Sequence, residues 1–181
     1  NSKLVREDGA LVEKVYKVGG MYSEAIVEIA KNLKLAAENA ENPQQQATLE
    51  ALAKYYESGD LADFDAYNIL WVNDTMSDVD VINGFIEVYG DAKGYRGAYE
   101  SVVQIKDPVA SKRIEAISKE AQWFEDNSSI MDEHKKEKVK GISARVINVV
   151  MEAGDASPST PIGINLPNAN WIRATHGSKS V

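Results

Sequence analysis

The stretch that most constrains this chain is Asn83 to Glu100, NGFIEVYGDAKGYRGAYE, because it combines strand alternation with a glycine-punctuated reversal. In a strand, successive side chains point to opposite faces, so Phe85, Glu87 and Tyr89 are expected on one face and Gly84, Ile86 and Val88 on the other. A carboxylate and a phenol then become neighbours. Gly90, Asp91, Gly94 and Gly97 suit a reversal, and Tyr99 to Ile105 resumes the extended pattern with Glu100 near its start. The reading is a hairpin that carries two acids and a tyrosine.

The rest of the chain supplies elements to hold that hairpin. Ser2 to Arg6 and Ala10 to Val18 read as strands joined at Asp8-Gly9, a strong hairpin signal. Met21 to Ala40 has Ile26, Ile29, Ala30, Leu33 and Ala37 at helical spacing. After Asn42-Pro43, Gln44 to Ser58 repeats the pattern with Leu49, Leu52, Ala53 and Tyr56, giving a helical hairpin. Leu61 to Val72 is a heavily apolar helix, and Val79 to Tyr89 is the first strand of the central hairpin. Asp107-Pro108 opens a helix over Val109 to Phe124, with Ile114, Ile117, Ala121 and Phe124 as its stripe. Asp126 to Lys140 reads as a loop or a solvated helix. Ile142 to Met151 is β-branched and reads as a strand, Ala153 to Pro161 as loop, Ile162 to Leu166 as a short strand, and Asn168 to Thr175 as a helical turn. The expected class is α+β: a small mixed sheet or partly closed β-barrel, with the helical hairpin and further helices packed against it.

Charge and composition exclude several functions. Of 181 residues, 20 are basic and 28 acidic, so the net charge of -8 repels a phosphate backbone, and nucleic-acid binding is not expected. The short basic run Lys135 to Lys140 contains an acid and reads as a solvated helix face. No apolar run is long enough to cross a bilayer. The absence of cysteine removes disulfides, thiolate nucleophiles and Cys-type zinc sites. With Asn1 first and no leader following, the chain reads as an internal piece of a longer protein.

A self-contained active site is not visible. No phosphate-binding glycine loop, His-Glu-X-X-His helix or Gly-X-Ser-X-Gly elbow occurs, and His134 and His176 have no second ligand at helical spacing. What stands out is a set of binding groups: Glu87 and Tyr89, Glu100 on the return strand, and Asn165 and Asn168 around Pro167 in Gly163-Ile164-Asn165-Leu166-Pro167-Asn168. Two carboxylates, two amides and a phenol suit an ammonium beside a peptide backbone. Periodicity alone equally allows acids on a solvated face and asparagines in a turn.

The run Phe85 to Tyr89 with Gly90-Asp91, Gly94, Arg96-Gly97 and Glu100, followed by Pro161 to Asn168, resembles dipeptidyl peptidase III, a family of zinc-dependent exopeptidases. The likeness is nearest to bacterial members. It extends more weakly through Lys3 to Gly20, Ile69 to Val72 and Asn170 to Val181. The resemblance implies a two-lobed enzyme that releases dipeptides from peptide N-termini. It assigns Glu87, Asn165 and Asn168 to the substrate ammonium, Tyr89 to the peptide backbone and Glu100 to an acidic subsite. The family's zinc sits on a His-Glu-X-X-Gly-His helix and a later glutamate, expected beyond Asn168, so no catalytic residue and no metal ligand is expected within this chain.

The implied partners are an oligopeptide substrate and the remaining lobe of the same polypeptide, and the implied compartment is the cytoplasm. Residues 1–107 are expected to carry the sheet hairpins and helices of the substrate-binding lobe, 108–141 to associate with the other lobe, and 142–181 to return strands and the anchoring loop. The chain departs from the family in having Asp91-Ala92 where Asp-Pro is common and Ala98 where an acid is common. Some relatives carry a Nudix label, but no Nudix box occurs here. A different class of reading is a non-catalytic binding or scaffold module, in which the helical hairpin and acidic surface contact protein partners.

Overall fold

The computed structural model describes residues 1–139 and 144–181. Strands β1 (Ser2–Glu7) and β2 (Ala10–Val15) pair antiparallel with Glu7 opposite Ala10. Both turn residues take the left-handed conformation, Asp8 at φ 48° and Gly9 at φ 85°, as a two-residue type I′ turn demands. Helix α1 (Ser23–Glu38) buries Ile26, Ala30, Leu33 and Ala37 along one stripe. Asn42 ends the connection and starts α2 (Pro43–Ser58): its side chain accepts from the Gln45 N–H at 2.9 Å, and Pro43 occupies the first turn, where no N–H is needed. Asp60 caps α3 (Leu61–Asn73) in the same way through Ala62 N–H at 2.9 Å.

The central sheet has the order β3-β4-β5, wholly antiparallel, from β3 (Val79–Phe85), β4 (Tyr99–Asp107) and β5 (Val146–Gly154). Asp107 closes β4 and caps α4 (Pro108–Lys119) by accepting from Val109 N–H at 2.9 Å and Ala110 N–H at 2.8 Å. Ser111 Oγ ties α4 to β5 by accepting from Val146 N–H at 3.0 Å. Helix α5 (Ala121–Asp126) and one 3-10 turn (Asp132–His134) follow. The chain then forms β6 (Asn165–Leu166), α6 (Asn170–Thr175) and β7 (Lys179–Ser180), with β6 and β7 paired antiparallel.

The core lies where α2 and α3 meet β3 and β4. Tyr55, Tyr56, Leu52, Trp71, Ile82, Phe85 and Val102 are all buried there. Aromatic rings bridge the hairpin β1-β2 to this core, with Tyr16 5.1 Å from Phe85 and Phe85 5.8 Å from Tyr99. One polar network is buried among them: Tyr56 O–H donates to Asn83 Oδ1, and Asn83 Nδ2 donates to Tyr99 Oη at 3.2 Å and Ser101 Oγ at 3.1 Å. Satisfied buried polar groups of this kind fix the register of β3 on β4.

The α+β class expected from the sequence is the observed one. The strands divide among three small antiparallel sheets, and among the described residues no barrel closes. The expected helix Val109 to Phe124 is broken at Glu120, whose φ of -92° and ψ of 11° leave the helical region, so it forms α4 and α5. Its apolar stripe stays largely outside: Ile117, Trp123 and Phe124 are exposed. Asp126 to Val139 is neither a continuous helix nor bare loop but is mostly irregular around the 3-10 turn. The expected start of the next strand, Ile142, lies outside the described residues; β5 starts at Val146 and runs past the expected end at Met151 to Gly154, into the stretch expected as loop. The pair β7 had no signal in its sequence, because two residues are too few for a period.

A candidate peptide-amine site at the end of the central sheet

The site is assembled where the β3-β4 hairpin runs past its strands. The ladder continues beyond Phe85: Ile86 N–H donates to Ala98 O at 3.1 Å, and Ala98 N–H donates to Glu87 O at 2.8 Å. Two residues therefore stand against one, the pattern of a β-bulge, which re-aims the side chain that follows it. Strict alternation would put Glu87 with Phe85 and Tyr99, on the face away from Glu100. The bulge explains why the charge of Glu87 nevertheless acts on Glu100. The expected single run of alternation from Phe85 to Tyr89 is thereby corrected: β3 ends at Phe85, and Glu87 and Tyr89 lie beyond it.

Asp91 shapes the tip. Its carboxylate accepts from Lys93 N–H at 3.3 Å, Tyr95 N–H at 3.1 Å and Arg96 N–H at 3.0 Å. These backbone donors, that of Lys93 foremost, hold its pKa down at about 2. The three donors make an Asx-type cap that holds the turn around Ala92.

Glu100 is the buried member of the set. It is 8% exposed, on β4, and its cross-strand neighbours are Gly84 on β3 and Gly154 on β5. Directly opposed residues share a face, so neither flank places a side chain beside the carboxyl group. Burial, then the charges of Glu87 and Asp155, push its pKa up to about 7. Asp155 is a contributor that sequence reasoning left in a loop. Its N–H donates to Tyr99 O at 2.9 Å, which brings it up to β4, and only strand pairing reveals that approach.

Tyr89 is 85% exposed at the mouth of the site, and the charge of Glu87 beside it raises its pKa, with Glu100 adding to the effect. From the far end of the chain Asn168 Nδ2 donates to Glu87 Oε1 at 3.1 Å, closing 81 residues of separation. Asn165 lies on β6 opposite Ser180 and is exposed; among the described residues its side chain makes no hydrogen bond to the other four. The structure thus brings Glu87 and Asn168 into contact, sets Glu100 and Tyr89 within electrostatic reach of Glu87, and leaves Asn165 near the same loop without a direct bond.

The sequence pattern of peptidase family M49 matches residues 3–181. The chain belongs to this family. Dipeptidyl peptidase 3 of Dictyostelium discoideum is 29% identical over 174 residues, covering 96% of this chain and 24% of that protein. Dipeptidyl peptidase 3 of Homo sapiens is 28% identical over 165 residues, covering 90% of this chain and 22% of that protein. The solved structure of DPP III from Caldithrix abyssi superposes with a TM-score of 0.81 at 28% identity, covering 99% of this chain and 34% of that one. The chain spans about a quarter of the length of the curated relatives it matches.

Zinc, which the resemblance implies, does not fit the residues present: among the described residues no three His, Asp or Glu side chains gather so as to hold a metal ion. His134 lies on the exposed 3-10 turn, and His176 packs edge-on to Trp171 at 6.4 Å. No helix of the described residues is long and apolar enough to cross a membrane.

Proposed function

We propose that this M49 chain is the substrate-anchoring part of a zinc dipeptidyl peptidase and that it holds the free ammonium of an oligopeptide. The observation that carries the reading is the bond between Asn168 and Glu87 beside the buried Glu100. It joins the two sequence blocks on which the resemblance rests. An ammonium has three donors and no acceptor, so it requires carboxylate or carbonyl oxygens around it. Glu87 supplies the formal charge, and Asn168 supports that carboxylate from behind through its N–H.

Glu100 completes the charge match. With its pKa about 7, it is only partly ionised near neutrality. An ammonium entering between Glu87 and Glu100 replaces like-charge repulsion by attraction and draws the proton off Glu100. On this reading the exposed Tyr89 donates its O–H to a peptide carbonyl, and Asn165 offers its amide from the adjoining strand. This chain's residues bind and orient; the bond-breaking groups, zinc included, belong on this reading to the rest of the longer polypeptide.

The exposed Ile117, Trp123 and Phe124 accord with residues 108–141 lying against the other lobe, and 1–107 with 142–181 forming the anchoring lobe. By family resemblance the working compartment is the cytoplasm. The test is calorimetric binding of a pentapeptide, with its amine either free or acetylated, to the whole polypeptide and to its Glu87→Gln variant. The reading requires the free amine to bind at least about tenfold tighter, and the variant to lose that advantage, since a charge-assisted bond contributes roughly 1.5 to 3 kcal/mol. Equal binding of the two peptides to the unaltered polypeptide would refute it.

A further inference from the structure

The hairpin that carries Asn165 and Asn168 is fastened to the central sheet through a sheltered charge cluster. Lys179 on β7 stands directly across from Leu166 on β6. Its Nζ donates to Asp80 Oδ2 at 3.0 Å and lies 4.5 Å from the centre of the Trp71 ring. Asp80 Oδ1 in turn accepts from Trp71 Nε1 at 2.8 Å and from Val81 N–H at 2.9 Å. The side chains of Lys179 and Asp80 are only 18% and 22% exposed, which sets this pair apart from a solvated surface bridge. A cation that is both ion-paired and seated on an indole face has one preferred position.

The placement along β3 gives the cluster its significance. Asp80 lies near the start of β3, and Glu87 lies just past its end. The β6-β7 hairpin therefore meets β3 near its start, through Lys179 to Asp80, and the chain just past its end, through Asn168 to Glu87. Leu166 and Ile172 also bury themselves against the body of the molecule. Apolar burial is non-directional, however, and tolerates sliding; the three-way polar contact does not.

We propose that Lys179, Asp80 and Trp71 form a positioning clamp that sets Asn168 at its working distance from Glu87, so that the clamp acts on peptide affinity through Asn168. The inference rests on the reading that Glu87, supported by Asn168, holds the substrate ammonium. Lys179 is a positioning residue with no contact to substrate.

The experiment is steady-state cleavage of a dipeptidyl 2-naphthylamide by the zinc-loaded whole polypeptide. Lys179→Met and Lys179→Arg are each measured alone and combined with Asn168→Ala. Lys179→Met raises KM about tenfold while kcat stays within about twofold, because binding geometry and not the chemical step is disturbed. Lys179→Arg keeps the charge and stacks on the indole, and recovers KM to within about twofold of the unaltered protein. In the Asn168→Ala background Lys179→Met adds less than about twofold, the non-additivity of residues that act through one another. Trp71→Phe, which removes the indole N–H but keeps a ring beneath the cation, provides the same comparison if Lys179→Met folds poorly.

An unchanged KM in Lys179→Met, or a full tenfold effect persisting in Asn168→Ala, overturns the clamp. If Asn168→Ala alone leaves KM unchanged, the anchoring reading fails and the clamp falls with it. If Asn168→Ala raises KM and Lys179→Met does not, only the clamp fails.

Discussion

Glu100 and Gly154 stand directly opposite one another on β4 and β5, and the glycine permits the glutamate to be buried without a side chain beside it. Gly154 has φ +66°, and a Cβ built on it would meet Tyr99 O at 2.0 Å. We expect Gly154→Ala to destabilise the polypeptide by about 2 kcal/mol or more, through left-handed strain and the clash with backbone together. Urea unfolding followed by tryptophan fluorescence measures this; a midpoint equal to that of the unaltered protein contradicts the account.

The elevated pKa of Glu100 has a defined consequence for stability. Its folded value, about 7, lies above the ordinary carboxylate value, so between those limits the folded state binds more protons than the unfolded state. Stability from this group therefore falls as pH rises through that window. Glu100→Gln should raise stability by roughly 1–2 kcal/mol at pH 8 and change it little at pH 4. Thermal unfolding at the two pH values checks the difference, and a gain equal at both would rule out the ionisation as its source.

Peptide affinity should follow the same group. As pH rises towards 7, Glu100 ionises more readily and binding of a free amine strengthens; above about 8 the peptide's own α-amino group loses its proton and binding weakens. The expected profile is a bell, and Glu100→Gln should flatten its acidic limb. Titration calorimetry across pH 5 to about 9 reads both limbs.

Asp91 behaves in the opposite sense. Its pKa is held down by the N–H groups of Lys93, Tyr95 and Arg96, so its contribution is complete above the ordinary carboxylate pKa and disappears as pH falls through about 2. Asp91→Ala should release the turn at neutral pH and speed proteolytic cutting between Tyr89 and Gly97 severalfold, in the order of magnitude expected for a lost cap. Limited proteolysis read by mass spectrometry locates the cut. Unchanged cutting in that segment would mean the turn is held by other contacts.

Much of the fold is legible because its signals are short-range. Asp8-Gly9 turns the first hairpin, Asn42-Pro43 separates the first two helices, Asp107-Pro108 starts another, and the stripes Ile26 to Ala37 and Leu49 to Tyr56 are the buried faces of α1 and α2. The stripe from Ile114 to Phe124 has the same period, but the chain breaks at Glu120 and its apolar groups remain largely exposed, since periodicity states which face is apolar and not what covers it. In the site, residue types were readable while mutual geometry was not. Asp155 has no local signal in the sequence because only strand pairing brings it up to β4.

The sequence by itself determined the turns, the caps, the helical faces and the two blocks of chain whose residue types suit a peptide amine. Each depends on φ preferences and hydrogen bonds made within a few residues. Tertiary structure alone decided that Ile86 and Glu87 share one partner, that glycine flanks Glu100 on both sides, and that Asn168 reaches Glu87 across 81 residues. Those outcomes follow from pairing register and from burial summed over the whole core, and neither quantity is a property of any short stretch of chain.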